Sequence, residues 1–353
     1  MSAEDPPPAA HRTTEDRSDA GEDAAALAYP NIALVKYWGK RDERLVLPWT
    51  SSLSMTLDTF PTTTRVRLTP RHRQDTVTLN GKPLDGEPLR RVVAFLDLVR
   101  ETSGRPARAV VESHNTVPTG AGLASSASGF AALATAACAA YGLHLDARAL
   151  SRLARRGSGS AARSVFGAFA VWHAARTGHQ DPDLDSFAEP VPVRLDVLDP
   201  ALVIAVVDPR PKPVSSREAM QHTVNTSPLF RAWMASSRAD LVEMRAALHG
   251  CDLDAVGEIA ERNALGMHAV MLAARPAVRY LSPASLTVLD AVLELRRDGV
   301  SAWATMDAGP NVKVLCHRAE AGRVAGVVRA AVTADSVHVA GPGPGARLLG
   351  DSS

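Results

Sequence analysis

The stretch PTGAGLASSASG, Pro118–Gly129, decides how the rest of the chain is read. A β-branched run at Ala109–Ser113 leads through a turn into glycines and serines, and a long apolar helix is predicted over Ser128–Tyr141. Gly120 and Gly122 let the backbone fold tightly enough for several N–H groups to converge on one anion. The helix that follows adds unpaired N–H groups and the positive end of its dipole. Ser125 and Ser126 add hydroxyls able to bond phosphate oxygens or a magnesium ion. No Lys-Ser/Thr follows the glycines, so this is not a Walker loop. Ser125 also stands where a dinucleotide fingerprint needs its third glycine. A Gly/Ser linker before a buried helix is the plainer alternative, and the stretch alone does not choose between them.

Working outward, Tyr29–Asp58 alternates enough to make strands and gathers Asn31, Lys36, Tyr37 and Lys40 around Trp38-Gly39. Two lysines and a tyrosine between strand-like runs suit a wall that holds an anion. A solvated edge strand guarded by its lysines is the alternative. Thr62–Leu68 and Thr76–Leu79 read as strands, Asn80-Gly81 as a hairpin turn and Leu89–Arg100 as an amphipathic helix. Downstream, a helix over Asp146–Arg156 ends at Gly157, and GSGSAAR (Gly157–Arg163) opens another. Ser158, Ser160 and Arg163 can there face one anion, unless the serine is only a cap. Phe169–His173, Val191–Leu195 and Ala201–Val207 read as strands.

The proline-rich run DPRPKP, Asp208–Pro213, is the predicted domain boundary. Ser215 and Glu218 after it have capping-box spacing, which leaves Ser216 and Arg217 in the first helical turn, free to meet an anion. Helices over Ser227–His249, Ala255–Ala274 and Ser285–Asp298 precede the apolar strand Ser301–Met306. That strand runs into DAGPN, Asp307–Asn311, where Asp307 is either turn chemistry or a functional carboxylate. His114, His222 and His268 have no partner at ligand spacing and read as structural or surface residues. The fold class is α+β: a strand-rich layer with buried helices, then a ferredoxin-like second domain.

Composition narrows the function. A chain of 353 residues suits two domains, and a net charge of +1 disfavours non-specific binding to nucleic acid or anionic membrane. Cys138, Cys251 and Cys316 lie far apart with no metal-ligand spacing, which suits a reducing cytoplasm. No apolar run reaches membrane-spanning length. Met1–Asp23 has too little apolar surface to offset ordering entropy and is expected to be a disordered tail.

KYWGKRD, SSLSMTL, GLASSAS, ARRGSGSAAR, VSSREAM and MDAGPNVKV occur in this order, and together they resemble the mevalonate diphosphate decarboxylases of the GHMP kinase superfamily. The resemblance spans roughly Ala28 to Val339. It implies the two-domain GHMP kinase fold, with a ribosomal-protein-like N-terminal domain over 24–208, a ferredoxin-like C-terminal domain over 209–345, a flexible end over 346–353 and the active site in the cleft. It also implies an enzyme that uses ATP and Mg2+ to convert mevalonate 5-diphosphate to isopentenyl diphosphate, releasing ADP, phosphate and carbon dioxide, and that works as a cytoplasmic homodimer.

Carried over by motif, Pro118, Gly120, Gly122, Leu123, Ala124, Ser125 and Ser126 would surround the ATP phosphates, with Ser126 also on the metal. Tyr37, Lys40, Ser158, Ser160, Arg163, Ser216 and Arg217 would hold the substrate diphosphate. Lys36 and Asp307 would meet the tertiary hydroxyl and carboxylate, with Asn31 nearby. A sibling that phosphorylates mevalonate or its monophosphate, or decarboxylates the monophosphate, is the nearest alternative. A non-catalytic nucleotide- or nucleic-acid-binding module is a distant one.

Overall fold

The computed structural model describes residues 22–350 apart from 70, 118–124, 177, 179, 209, 211–213 and 333–336. The first part of the chain runs β1 (Asp23–Ala28), β2 (Asn31–Val35), β3 (Lys40–Asp42), β4 (Leu47–Pro48), β5 (Ser52–Thr56), β6 (Thr62–Thr69), β7 (Thr76–Leu79) and β8 (Lys82–Pro83). It continues through α1 (Gly86–Ser103), β9 (Arg108–Asn115), α2 (Ser125–Ala140), α3 (Ala147–Gly157), α4 (Ala161–Ser164), β10 (Phe169–Trp172), α5 (Pro182–Asp185), β11 (Ala188–Pro190) and α6 (Leu195–Leu198). The rest comprises β12 (Pro200–Ala205), α7 (Ser216–Thr226), α8 (Phe230–Gly250), α9 (Leu253–Leu272), α10 (Pro283–Arg297), β13 (Ala302–Met306), β14 (Val312–His317), α11 (Ala321–Val332), β15 (Val337–Ala340) and β16 (Arg347–Leu348).

Three sheets matter for the site. One has the strand order β16-β1-β6-β9-β7-β8, a second β11-β10-β5-β2 and a third β13-β14-β12-β15. In β6, Thr62, Thr64, Val66 and Leu68 point inward and the residues between them are partly or fully exposed, the alternation of a sheet with one covered face. The cover is α2, whose alanines bring it close against β1 and β6. In the third sheet, Ala304, Met306, Val312 and Val314 pack under α10 and α11. Trp303 and Leu315 on the opposite face join Ile32, Leu53 and Met55 of the second sheet. That second core, with α8 and α9 in it, ties the two domains together. Gly257 on α9 makes the approach possible, since a Cβ there would lie 2.1 Å from Trp303 Cδ1.

Four expectations are corrected. The domain change comes before Pro200 and not at Asp208, because β12 pairs with β14 and β15 in the third sheet. The proline-rich run follows β12 in the chain, and its residues 209 and 211–213 lie outside the described residues. Residues 191–195 are not a strand: β11 ends at Pro190, and Leu195 opens the single turn α6. The C-terminal segment is not a free end, since Arg347 and Leu348 pair with β1. Before that, Gly343 bonds the Thr56 carbonyl and accepts from Ala168 N. Gly and Pro here serve close backbone contact: a Cβ on Gly343 would lie 1.9 Å from Leu57 O. Finally, Asp23 is the first residue of β1 rather than the last of the tail, and Met1–Gly21 lie outside the described residues.

Candidate active site

Lys36 follows the buried strand β2 and is itself only 1% exposed. Its backbone N–H donates to Asn263 Oδ1 of α9 at 2.8 Å, so a helix of the second domain fixes the end of a strand of the first. Asn263 is fixed in turn, donating to Asp240 Oδ2 at 2.7 Å. The Lys36 ammonium donates to the Ala33 carbonyl at 2.6 Å and to Asp307 Oδ1 at 2.9 Å.

Asp307 directly follows β13, and its carboxylate is bracketed: Lys313 of β14 brings its ammonium to 3.3 Å from Oδ2. Burial works to raise the carboxyl, but Lys36 and Lys313 outweigh it and hold Asp307 well below the usual carboxylate range. Burial lowers Lys36 from the ordinary lysine value, against the pull of Asp307 and with Lys313 and Arg163 adding to the shift. His268 of α9 is buried beside this pair and bonds the Asp307 backbone. Burial, then the Lys36 charge, pushes its imidazole down to about 4, so it is neutral at physiological pH.

Arg163, on the single turn α4, is 2% exposed. Its guanidinium donates to Ser54 Oγ at 2.9 Å, Ser52 Oγ at 2.6 Å and Asn31 Oδ1 at 3.2 Å. Asn31 is locked by its own donation to Ser164 Oγ at 2.8 Å. Every one of these partners is neutral. Burial pushes Arg163 down to about 10, with Asp307 the largest opposing influence, so the charge persists at neutral pH. Lys36, Lys313 and Arg163 thus share one carboxylate, a buried excess of positive charge that an anionic ligand would offset.

Nearer the mouth of a cavity of about 670 Å3 stand Tyr37, Lys40, Ser158, Ser160, Ser216 and Arg217. Tyr37 Oη is buried with no hydrogen-bond partner among the described residues. Burial, with Glu43 adding to it, raises the phenol above its ordinary value, so it remains a donor. Its ring meets Trp172 edge-on at 4.7 Å. The loop beneath needs Gly159, where a Cβ would lie 2.7 Å from Trp172 Cη2. With that glycine in place, the Ser158 hydroxyl lies 3.2 Å from Ser126 Oγ and 3.4 Å from Ser160 Oγ.

Ser215 forms the capping box with Glu218, leaving Ser216 and Arg217 in the first turn of α7 on the cavity wall. Lys40 pairs with Glu43 at 2.5 Å, and Arg217 reaches Glu87 of α1 at 3.4 Å.

Of the expected nucleotide loop, Ser125 and Ser126 open α2 and line the same cavity. Pro118, Gly120, Gly122, Leu123 and Ala124 lie outside the described residues. Among the described residues no group of three or more His, Cys, Asp or Glu could hold a metal ion. The Ser126 hydroxyl on the cavity wall is a donor of the kind that joins phosphate oxygens and water around a magnesium ion, a hard, reluctantly dehydrated cation.

Sequence reasoning missed Lys313, Asn263 and Arg91, whose guanidinium lines the cavity and donates to the Gly157 carbonyl at 3.0 Å. It set His268 aside. Only Lys313 carried a signal, as the single charge in the apolar strand VKVLC.

Residues 28–188 match the family described as the diphosphomevalonate decarboxylase-like N-terminal domain. Residues 202–340 match the mevalonate 5-diphosphate decarboxylase C-terminal domain. The chain belongs to the diphosphomevalonate decarboxylase family. A family member from Ganoderma lucidum is 37% identical over 312 residues, covering 82% of this chain and 77% of its own. The phosphomevalonate decarboxylase of Haloferax volcanii is 33% identical over 321 residues, covering 90% and 96%.

Among solved structures, MDDEF in complex with MVAPP, AMPPCP and magnesium superposes with a TM-score of 0.87 at 42% identity, covering 93% of this chain and 99% of that one. A structure addressing mevalonate diphosphate mediated ATP binding in the Enterococcus faecalis decarboxylase gives a TM-score of 0.87 at 41% identity with the same coverage. These decarboxylases share the fold described above across both domains.

Proposed function

We propose that this diphosphomevalonate decarboxylase family member converts mevalonate 5-diphosphate to isopentenyl diphosphate with ATP and magnesium, releasing ADP, phosphate and carbon dioxide. The observation that carries the reading is one carboxylate, Asp307, paired with two buried lysines, Lys36 and Lys313, with the buried guanidinium of Arg163 in the same cavity. The mouth of that cavity offers hydroxyls and further cations.

A tertiary hydroxyl is a poor leaving group, so it is phosphorylated first. Bound ATP supplies the phosphoryl group, and magnesium neutralises its oxygens. The Asp307 carboxylate accepts the hydrogen bond of the substrate's tertiary hydroxyl and orients it for attack. As the new P–O bond forms and the bond from phosphorus to the ADP oxygen breaks, the hydroxyl proton passes to a phosphoryl oxygen and Asp307 stays charged. It then faces the positive charge that develops on the tertiary carbon as the C–O bond to phosphate breaks. Lys36 neutralises the phosphoryl oxygens. The electron pair of the breaking C–C bond forms the alkene, and the carboxylate leaves as carbon dioxide.

Arg163 and Asn31 belong with this reacting end, because their bonds run to Ser52, Ser54 and Ser164 deep in the cleft and Arg163 is coupled to Asp307. We therefore assign Arg163 to the substrate carboxylate rather than the diphosphate. The diphosphate falls to Tyr37, Lys40, Ser158, Ser160, Ser216 and Arg217, whose binding energy positions the far end for reaction. Ser125 and Ser126 take ATP phosphate oxygens, with Ser126 on the magnesium.

Assaying ADP and carbon dioxide with mevalonate, its 5-phosphate and its 5-diphosphate tests the reading. Preference for the 5-phosphate would favour the chemistry named for the Haloferax relative. We also place the chain in the cytoplasm as a homodimer. Three free cysteines suit a reducing compartment, and the dimer, which rests on the family resemblance, is checked by sedimentation. No described helix is long and apolar enough to cross a membrane.

A further inference from the structure

We propose that Lys313 is a positioning residue for this reaction: it holds Asp307 Oδ2 from the buried side, so that Oδ1 stays presented to the substrate while Lys36 engages the transferring phosphoryl group. The proposal rests on the function assigned above.

Strand register puts it there. Lys313 is paired with Thr305 in the β13–β14 ladder, and residues two apart in a strand share a face, so Lys313, Thr305 and Asp307 all point toward the interdomain side. The neighbours Met306, Val312 and Val314 point the other way, into the core under α10 and α11. Lys313 is 1% exposed, whereas the Asp307 side chain is 28% exposed. The lysine therefore reaches the carboxylate from behind and stays out of the substrate's path.

It also lies 3.5 Å from the Asn311 carbonyl, so one ammonium clasps both ends of the DAGPN turn. The Asn311 side chain in turn accepts from Val207 N at 2.8 Å and Asp208 N at 3.1 Å, tying that turn to the segment after β12.

The second lysine answers a problem of charge. Lys36 is the cation on Oδ1. When it turns toward phosphoryl oxygens, Asp307 loses that partner during the step in which its charge and direction matter. Lys313 is too deep to follow the substrate and keeps Oδ2 in place. A reacting group misplaced by 1 Å costs on the order of a hundredfold in rate.

Lys313→Met tests this, keeping the stem and removing the charge. Lys36 and Asp307 remain a one-to-one pair, so no carboxylate is left without a cation and the fold is expected to survive. The expected result is a kcat about 10–100-fold lower with KM for both substrates within about threefold. Removing a cation from the neighbourhood of Lys36 should also move the alkaline fall of kcat upward. The other groups facing Lys36 stay unchanged: Asp307, Arg163 of α4, His268 of α9 and the Ala33 carbonyl.

Lys313→Arg should restore most of kcat and return the alkaline fall toward its original position. If Lys313→Met does not fold, by melting temperature and substrate binding, Lys313→Gln supports the same comparison. A folded, charge-free variant with kcat within about threefold of the parent and an unmoved alkaline fall would overturn the positioning role. A parent enzyme that releases no carbon dioxide from mevalonate 5-diphosphate would overturn the function assigned above instead.

Discussion

Lys36 and Asp307 meet at 2.9 Å although one follows a strand of the first domain and the other a strand of the second. Neither domain alone contains the pair. Asn263 and His268, both on α9, hold the backbones on the two sides of it. The site is therefore only as well formed as the seating of α9 between the sheets.

That seating is open to a steric test. Gly257→Ala places a Cβ about where the Trp303 ring now lies, and overpacking of this kind costs about 1–3 kcal/mol. The variant should melt several degrees lower and lose turnover by more than its unfolded fraction explains, since α9 must shift. A variant with unchanged melting temperature and turnover would show that α9 is not a rigid platform.

Asp307→Asn keeps shape and removes charge. Turnover should fall by about 10²–10⁴-fold, while KM for ATP and substrate changes little because phosphates are held elsewhere. Steady-state kinetics with matched melting curves decides it. Retention of a tenth or more of the parent rate would move the chemistry to another group.

The two ends of the substrate should be separable by mutation. Arg163→Gln should weaken mevalonate 5-diphosphate and mevalonate 5-phosphate alike, by about tenfold or more, because both carry the carboxylate. Arg217→Gln should weaken the 5-diphosphate more than the 5-phosphate. Calorimetric titration of both ligands checks the pair of results, and the reverse pattern would return Arg163 to the diphosphate.

The pH dependence follows from the charges. Asp307 is held below its usual range, so its charge is fully present above the ordinary carboxylate value near 3.9 and is lost only as pH falls through its lower folded value. The acid side of the kcat profile should show no loss from Asp307 above about pH 4. Lys36 is lowered, so the alkaline fall should come below the ordinary lysine value near 10.4. A profile of kcat at saturating substrate measures both, and an Asp307-dependent loss near pH 6 would contradict the bracketed carboxylate.

Much of the architecture was legible because periodicity and turn chemistry are local. The alternation of β6, the capping box of Ser215 and the apolar run of β12 could each be read in a short window. What was not legible depended on distant contact. The proline-rich run looked like a boundary, yet β12 before it already belongs to the second domain's sheet. The end over 346–353 was expected to be flexible because nothing in its own residues reveals that Arg347 and Leu348 pair with β1 at the other end of the chain.

In the site, Lys36 and Asp307 stand inside distinctive motifs, whereas Asn263 is a helix residue that matters only because α9 reaches a strand end 227 positions earlier. The bonds of Arg163 to Ser52 and Ser54, on which its proposed place at the reacting end rests, are revealed by no spacing around GSGSAAR.

The most direct test is a single-turnover reaction with the 5-diphosphate carboxyl carbon labelled, counting ADP and labelled carbon dioxide in the same quench series. The account predicts one carbon dioxide per ADP, and loss of both together in Asp307→Asn. ADP formed in full with no carbon dioxide would contradict it and leave a kinase.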